Sequence, residues 1–264
     1  MEPCALPEFL APCVCSHGEA LTRCVTSNTT IASGFATNEP HAFYDGLWDY
    51  IQAADIHDLK IRQALFMAPH RICLGDSLSS RGLFAGLAKG DGAAFLRNLP
   101  ILGSASILSD IARRANGVTR KMEGLKRLAE HYREMQARRI TFLSPFLGRA
   151  TSIMVPDNAM TRVLCPDLVG RNTTRMGVTD MQSVHFPDAV DAIGYDADGR
   201  PRMDTFVAVV TPPNADGFMS HGPASAANSE IVLRIAKHAD VNLLLYVNPT
   251  YPFTRGYTEP GTDN

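Results

Sequence analysis

Three segments of the chain place glycines and polar side chains directly after an apolar run that is typical of a buried strand. They are residues 34–40, 146–149 and 211–223. Where a strand passes into a helix, the helix start offers free N–H groups and a positive dipole end, which suit a phosphate or a carboxylate. In open α/β sheets, ligands bind at such carboxyl ends of strands. The alternative for the first segment is an ordinary turn between a strand and a helix.

The last of these segments is polar and is stiffened by Pro212 and Pro213. Prolines lower the conformational entropy of the unfolded chain, which favours a loop of fixed shape. Ser220 and His221 are adjacent in this loop, and adjacent side chains usually point apart, so a nucleophilic Ser–His pair is not expected. Arg149, in the middle segment, is a further candidate for contact with a phosphate.

Several motifs of known chemistry do not occur in the sequence. There is no GxGxxG or GxxxxGK[ST] pattern, so a dinucleotide or P-loop nucleotide site has no motif support. HExxH and GxSxG, the motifs of zinc proteases and of the hydrolase nucleophile elbow, do not occur either.

The six cysteines do not form a recognisable metal motif. Four of them fall within the first 24 residues, and a single residue separates Cys13 from Cys15. Zinc knuckles usually have two residues between their cysteines and a second pair downstream, and this chain has no second pair. Although His17 lies nearby, we expect reduced thiols without a disulfide framework, and neither a metal nor a cofactor.

Composition places the chain among ordinary globular proteins. It has 264 residues, of which 45% are hydrophobic and 20% are charged. The net charge of −2 excludes a bulk electrostatic attraction to nucleic acid. No run of about 18 apolar residues occurs, and the N-terminus lacks a basic region followed by an apolar stretch, so no membrane span or secretory signal is predicted. A cytoplasmic location is expected.

Apolar runs and helical periodicity alternate along most of the chain. Strands are predicted at 29–35, 60–68, 139–143, 180–186, 203–211 and 241–247. Helices are predicted at 18–24, 40–54, 120–138, 187–193 and 226–239. Because the strands are almost continuously apolar, the pattern predicts an α/β fold with a mostly parallel sheet and helices on both faces.

Local signals refine three of the predicted helices. Asn38 is a good N-cap for the helix that starts near Pro40. In the helix at 120–138, one apolar face is predicted, made of Met122, Leu125, Ala129, Tyr132 and Met135. In the helix at 226–239, the residues predicted to face inward are Ile231, Val232, Ile235 and Ala236.

The C-terminal third resembles the acetyl-CoA hydrolase/transferase family, which includes butyrate and 4-hydroxybutyrate CoA-transferases. The run VVTPPNADGFMSHG at 209–222 is similar to the family's V-S-P-P-D-x-H-G-Y-x-S-L-G, and LLYVNPTYPFTRG at 244–256 to its V-x-E-V-N-x-x-M-P-R-T-x-G. Weaker matches are SGFATNEP at 33–40 and GVTDMQSVHFPDAV at 177–190. The run at 209–222 carries Asn214 and Asp216 where the family has an aspartate and a histidine.

The resemblance implies an N-terminal CoA-transferase-like α/β domain at 29–257. Residues 1–28 would be an irregular or helical lead-in, 76–138 a helical insertion and 258–264 a flexible tail. Family members are about twice this length, and their nucleophile is a glutamate of the second domain that becomes a glutamyl-CoA thioester. No catalytic residue is therefore expected within this chain.

The resemblance also implies the partners and the substrate-binding residues. The partners would be an acyl-CoA, a small carboxylate and a second CoA-transferase domain or subunit, in a homo-oligomer; coenzyme A would be a substrate, not a cofactor. The residues that would face them are Gly34, Thr37, Asn38, Gly148, Pro213, Gly217, Ser220 and Gly222.

Two other functions stay open at the level of sequence. One is a non-catalytic subunit that binds acyl-CoA or pairs with a separate catalytic chain. The other is an unrelated α/β hydrolase that uses Ser220 or a cysteine as its nucleophile. If the chain is one domain of a CoA-transferase-like protein, the isolated chain is expected to expose an apolar face where the second domain would dock.

Overall fold

The computed structural model describes residues 8–34, 36–63, 70–78, 127, 130–144, 179–181, 184–185, 188–214, 216–224 and 226–254. The strands are β1 (Thr30–Ser33), β2 (Lys60–Arg62), β3 (Thr141–Ser144), β4 (Thr179–Met181), β5 (Thr205–Val210) and β6 (Asn242–Val247). The helices are α1 (His17–Cys24), α2 (His41–Ala53), α3 (Arg71–Leu78), α4 (130–137), α5 (Ala189–Gly194) and α6 (Ala226–Ile235).

The six strands form one parallel sheet in the order β4-β3-β2-β1-β5-β6. All six residues of β5 are buried, as expected for a strand covered on both faces. The predicted α/β class and parallel sheet are confirmed. β2 spans only the first three residues of the strand predicted at 60–68, and residues 64–69 lie outside the described part of the chain.

Helices cover both faces of the sheet. Because neighbouring residues of a strand point to opposite faces, adjacent residues of β1 and β5 pack with different helices. On one face, Ile31 and Val207 pack with residues of α1, α2 and α4. On the other, Ala32, Phe206 and Ala208 pack with residues of α5 and α6. The two hydrophobic cores are therefore separated by the sheet itself, which agrees with the layered architecture predicted from the sequence.

The first two helices follow from local sequence signals. α1 begins with a capping box, in which the Ser16 hydroxyl accepts from the Glu19 N–H at 3.3 Å and the Glu19 carboxylate accepts from the Ser16 N–H at 2.7 Å. α2 is amphipathic and buries Phe43, Leu47 and Ile51, which recur every four residues. These side chains anchor α2 on the sheet directly after the loop that follows β1.

Two details of the helix predictions are wrong. Asn38 does not cap α2: the helix starts at His41, its N-cap is Pro40, and no side chain bonds to that cap. Asn38 lies instead in a 3-10 turn (Ala36–Asn38). Its carboxamide bonds to the backbone of β5 and is therefore not available to cap the helix. In α6, Ile231 and Ile235 are buried as predicted, but Ala236 lies beyond the helix end and is exposed.

The C-terminal end of the segment predicted as a helical insertion, 76–138, contributes to the core. In α4, Tyr132 and Met135 are buried, which confirms that part of the predicted apolar face. The adjacent His131 ring contacts the Ile72 carbonyl oxygen of α3 at 3.0 Å. The remaining predicted face residues, Met122, Leu125 and Ala129, lie outside the described residues, as does the predicted tail at 258–264.

One edge of the sheet is β6, which pairs only with β5 among the described strands. Its Leu243 and Val247 side chains are 38% and 49% exposed. A groove of about 430 Å³ runs beside them, and Val14 of the lead-in and Met219 of the loop after β5 also line it. Among the described residues, no helix has the length and apolar character needed to cross a membrane.

Candidate functional site at the switch point of the sheet

The site predicted from the strand ends lies where the sheet changes its direction of growth. Strands β1 to β4 follow one another toward one edge, and β5 returns to pair with β1 before β6 extends the other edge. The loops after β1 and β5 therefore leave neighbouring strands in opposite directions. Such a switch point opens a crevice at the carboxyl ends of the strands, where open α/β sheets bind ligands.

Asn38 fastens the loop after β1 to β5. Its Nδ2 donates to the Val209 carbonyl oxygen at 2.6 Å, and its Oδ1 accepts from the Val209 N–H at 3.1 Å. The backbone ladder between β1 and β5 ends with the Gly34 N–H, which donates to the Val207 carbonyl oxygen at 2.8 Å. The buried carboxamide thus continues this ladder by one residue pair after β1 has ended.

Gly34 is needed at the point where this loop turns. A Cβ atom added to it would lie 2.1 Å from Asn38 Oδ1 and 2.9 Å from the Asn38 carbonyl oxygen. Glycine therefore allows the close approach that places the carboxamide on β5. Thr37, the residue before Asn38, is exposed at the rim, and its carbonyl oxygen accepts a hydrogen bond from the Tyr251 hydroxyl.

The loop after β5 closes on itself through its own polar groups. The Thr211 N–H donates to the Ser220 carbonyl oxygen at 2.8 Å, and the Ser220 N–H donates to Thr211 Oγ1 at 3.0 Å. At its tip, Asn214 Oδ1 accepts from the backbone N–H groups of Asp216 and Phe218 at 3.1 and 2.8 Å. An aspartate, which the family motif resembled by this loop has at this position, could accept the same two bonds through a carboxylate oxygen.

Ser220 joins this loop to the segment after β6. Its Oγ accepts from the N–H groups of Gly222 and Thr254 at 3.0 and 3.2 Å and bonds to Thr254 Oγ1 at 2.7 Å. The hydroxyl therefore satisfies backbone donors, and in the described part of the chain it bonds to Gly222 and Thr254 rather than to the His221 ring, as expected if the two do not form a nucleophilic pair. The role of Ser220 in these contacts is to position the loop.

His221 is half-buried beside the crevice, and its Nδ1 lies 3.5 Å from Asn38 Nδ2. Burial lowers the pKa of His221 below its usual value near 6.5, because the charged imidazolium loses hydration. The ring is therefore neutral at physiological pH. The loops after β1 and β5 therefore present neutral polar groups where they meet.

A buried polar cluster lies between the loop after β1, helix α2 and the start of α3. Glu39 Oε1 is 2.8 Å from His70 Nε2, and His70 Nδ1 is 3.7 Å from Asp45 Oδ1. The Tyr44 ring packs against His70 with a centroid separation of 5.1 Å and a tilt of 39°, and the Tyr44 hydroxyl bonds to Ser33 Oγ at 2.7 Å. Burial lowers the pKa of His70, but the nearby carboxylates of Asp45 and Glu39 outweigh this effect and raise the pKa.

The structure brings together most of the predicted site residues. Those from the loops after β1 and β5 that lie at the switch point are Gly34, Thr37, Asn38, Pro213, Gly217, Ser220 and Gly222. Gly148 and Arg149 lie outside the described residues. Sequence reasoning missed Glu39 and His70, because 30 positions separate them; the one available signal was the run Glu39-Pro40-His41 at a helix start.

In the described part of the chain, Cys13, Cys15 and His17 line the groove beside β6, whereas the buried Cys73 lies near the polar cluster, where burial and the charge of Glu39 raise its thiol pKa. Cys13, Cys15, Cys24 and Cys73 are free thiols, which agrees with the expected lack of a disulfide framework among them. His17 Nδ1 contacts the Tyr246 hydroxyl at 2.7 Å. A Cβ atom on Gly46 would lie 2.1 Å from His17 Nε2, so the ring is packed tightly against α2.

Comparisons with known proteins bear on the fold. No family model and no curated protein matches the chain. Among solved structures, RipA from Yersinia pestis is 19% identical, with a TM-score of 0.49 over 92% of this chain and 38% of that chain. A single-residue variant of RipA gives a TM-score of 0.50 at 19% identity, over 92% and 37% of the two chains. The chain thus spans less than two fifths of the length of the structures it matches, and its likeness to the variant supports the α/β fold alone.

Proposed function

We propose that this chain is the N-terminal half of an acyl-CoA hydrolase or CoA-transferase and supplies one wall of its active-site crevice. The enzyme would move CoA from an acyl-CoA to a small carboxylate or to water. The nucleophilic glutamate would lie in a second domain or subunit outside this chain. The proposal includes a cytoplasmic protein in a homo-oligomer, with coenzyme A as a substrate and no cofactor.

The observation that carries the proposal is the meeting of two family-like loops at the switch point. The run at 209–222 resembles the family motif most closely, and the run at 33–40 resembles its first strand and turn. Asn38 joins them through two hydrogen bonds to Val209, and Tyr251 of the second motif bonds to Thr37. Residues that resemble one family in three separate stretches are thus in direct contact.

The chemistry of the crevice suits an uncharged acyl group. Neutral His221 and the carboxamide of Asn38 lie side by side, and the exposed Thr37 hydroxyl is on the same rim. His221 and Thr37 can orient a thioester carbonyl without repelling an incoming carboxylate, while the buried Asn38 carboxamide holds the turn that carries Thr37. In the proposed reaction, the glutamate carboxylate attacks the thioester carbonyl and displaces the CoA thiolate. The thiolate then attacks the glutamyl carbonyl of the resulting anhydride, which forms the glutamyl-CoA thioester and releases the first carboxylate. A second carboxylate repeats these steps in reverse to form the new acyl-CoA, or water hydrolyses the glutamyl thioester to free CoA and glutamate.

The test uses the native assembly, isolated through an affinity tag on this chain. It is incubated with acetyl-CoA and isotope-labelled butyrate, and the products are read by mass spectrometry. The proposal predicts labelled butyryl-CoA, or free CoA with acetate. Borohydride added with acetyl-CoA should reduce a glutamyl thioester to an alcohol outside residues 1–264.

Two results would contradict this proposal. An acyl group trapped on Ser220 or on a cysteine would identify the unrelated hydrolase. Tight acetyl-CoA binding by an assembly that neither transfers nor hydrolyses it would identify the non-catalytic binding subunit. A Ser220→Ala variant separates the first case, because the transferase keeps its trapped glutamate whereas the hydrolase loses its acyl adduct.

A further inference from the structure

Three potential metal ligands lie close together beside the loop after β1. They are Glu39, His41 and His70. One ligand atom from each residue can be chosen so that all three lie within 4.8 Å of one another. Glu39 Oε1 and His70 Nε2 are 2.8 Å apart, and Glu39 Oε2 and His41 Nε2 are 4.0 Å apart. Ligands bound at about 2.1 Å to one ion are separated by about 3.0–3.4 Å, so the first pair already has nearly the required spacing.

The environment of this cluster differs from that of surface acidic groups. The side chains of Glu39 and His70 are 0% and 1% exposed, whereas that of His41 is 58% exposed. Two ligands are therefore held rigidly in the protein, and the third is free to change rotamer. Because the three ligand atoms already lie within 4.8 Å of one another, a rotamer change that moves the His41 imidazole by about 1–2 Å would reach the spacing of about 3.0–3.4 Å around one ion.

Second-sphere contacts orient His70 as a ligand. Asp45 Oδ1 lies 3.7 Å from His70 Nδ1, on the opposite side of the ring from Glu39. A bound ion would displace the proton between His70 Nε2 and Glu39 Oε1, and the carboxylate at Nδ1 would hold the remaining ring proton, as in carboxylate–histidine–zinc arrangements. The Tyr44 and His41 rings both lie at a centroid distance of 5.1 Å from His70, tilted by 39° and 57° to it, and this packing limits the orientations that the His70 imidazole can adopt.

We propose that Glu39, His41 and His70 form a binding site for a divalent transition-metal ion, with Zn²⁺ as the best match. Two imidazole nitrogens and one carboxylate oxygen suit zinc, and also iron or nickel, better than Mg²⁺ or Ca²⁺, which prefer oxygen ligands. Three protein ligands leave one coordination position open toward the exposed His41 side. The ion would tie the loop after β1 to the starts of α2 and α3, and this inference does not depend on the proposed CoA chemistry.

The test is a titration of the chelator-treated chain with Zn²⁺, followed by calorimetry and by metal analysis after gel filtration. One ion per chain is expected to bind, and His70→Gln and Glu39→Gln should weaken binding at least tenfold. His41→Ala should also weaken it at least tenfold, and this exposed side chain can be removed without disturbing the core. His57→Ala is the matched control, since His57 forms an exposed pair with Asp55 at 3.2 Å, and it should change affinity less than twofold.

Cobalt substitution separates this site from the cysteines of the lead-in. Co²⁺ bound by Glu39, His41 and His70 should give visible ligand-field bands without a thiolate-to-cobalt charge-transfer band in the near ultraviolet. An intense charge-transfer band, or Zn²⁺ affinity unchanged in both His41→Ala and His70→Gln, would assign the ion to other residues and overturn the proposal. So would the lack of saturable binding up to 100-fold excess of Zn²⁺, or equal loss of binding in the His57→Ala control.

Discussion

Replacing Asn38 with alanine should destabilise the chain by much more than its position in a loop suggests. The carboxamide is fully buried and makes two hydrogen bonds to the backbone of Val209, one as donor and one as acceptor. Alanine removes both partners at once. The Val209 N–H and carbonyl oxygen point toward the side of β5 where β1 has already ended, so no strand is available to replace the lost bonds.

The expected magnitude follows from these two groups. Each buried backbone group that loses its partner costs about 1–3 kcal/mol. The sum is about 2–6 kcal/mol, and about 3 kcal/mol is expected because water entering from the crevice can satisfy part of the loss. A typical domain has about 5–15 kcal/mol of total stability, so a substantial share depends on one side chain.

Urea unfolding followed by circular dichroism measures this free energy. Thr37→Ala is the matched control, because Thr37 lies in the same turn, its side chain is exposed, and its carbonyl oxygen still accepts from Tyr251. The control should change the unfolding free energy by less than about 0.5 kcal/mol. The reasoning is refuted if Asn38→Ala costs less than about 1 kcal/mol, or no more than Thr37→Ala.

Three further predictions concern the same crevice. Gly34→Ala should cost about as much as Asn38→Ala and far less in the Asn38→Ala background; a double-mutant cycle with coupling below about 0.5 kcal/mol would contradict this. Ser220→Ala should speed amide exchange of Thr254 at least tenfold, read by mass spectrometry or NMR, and unchanged exchange would show that the Ser220 hydroxyl does not hold that segment. Because its pKa is lowered by burial, His221 should stabilise the fold above its unfolded pKa of about 6.5, and this contribution should be lost as the pH falls through its folded pKa. Unfolding free energies of wild type and His221→Gln at pH 7.5 and 5 measure the effect, and an equal pH dependence in both proteins would exclude it.

Periodicity and apolar runs were enough to predict the layers of the fold. The runs at 203–211 and 241–247 appear as β5 and β6, and residues from them line both faces of a parallel sheet. Strand order was not predicted, because order depends on which strands pair across the whole chain. The return of β5 to β1, which creates the crevice, is a long-range event that no local pattern encodes.

Asn38 shows how tertiary contacts can override a local prediction. Its type favours a helix N-cap, and a position before Pro40 supports that interpretation. Tertiary structure overrode this local preference, because two backbone groups of Val209 needed partners and the carboxamide could supply both. The Glu39–His70 contact was not predictable in the same way, since the two residues have no fixed spacing in sequence and meet only when α2 and α3 pack.

The central claim, that the switch-point crevice faces an acyl-CoA, is tested most directly by hydrogen exchange. The native assembly is compared with and without a non-hydrolysable acetyl-CoA analogue, and peptides covering the whole chain are followed by mass spectrometry. The account predicts slower exchange in peptides 33–40 and 209–222, with no change in the lead-in at 8–24. Protection confined to the groove beside β6, or no protection anywhere in the chain at saturating analogue, would contradict it.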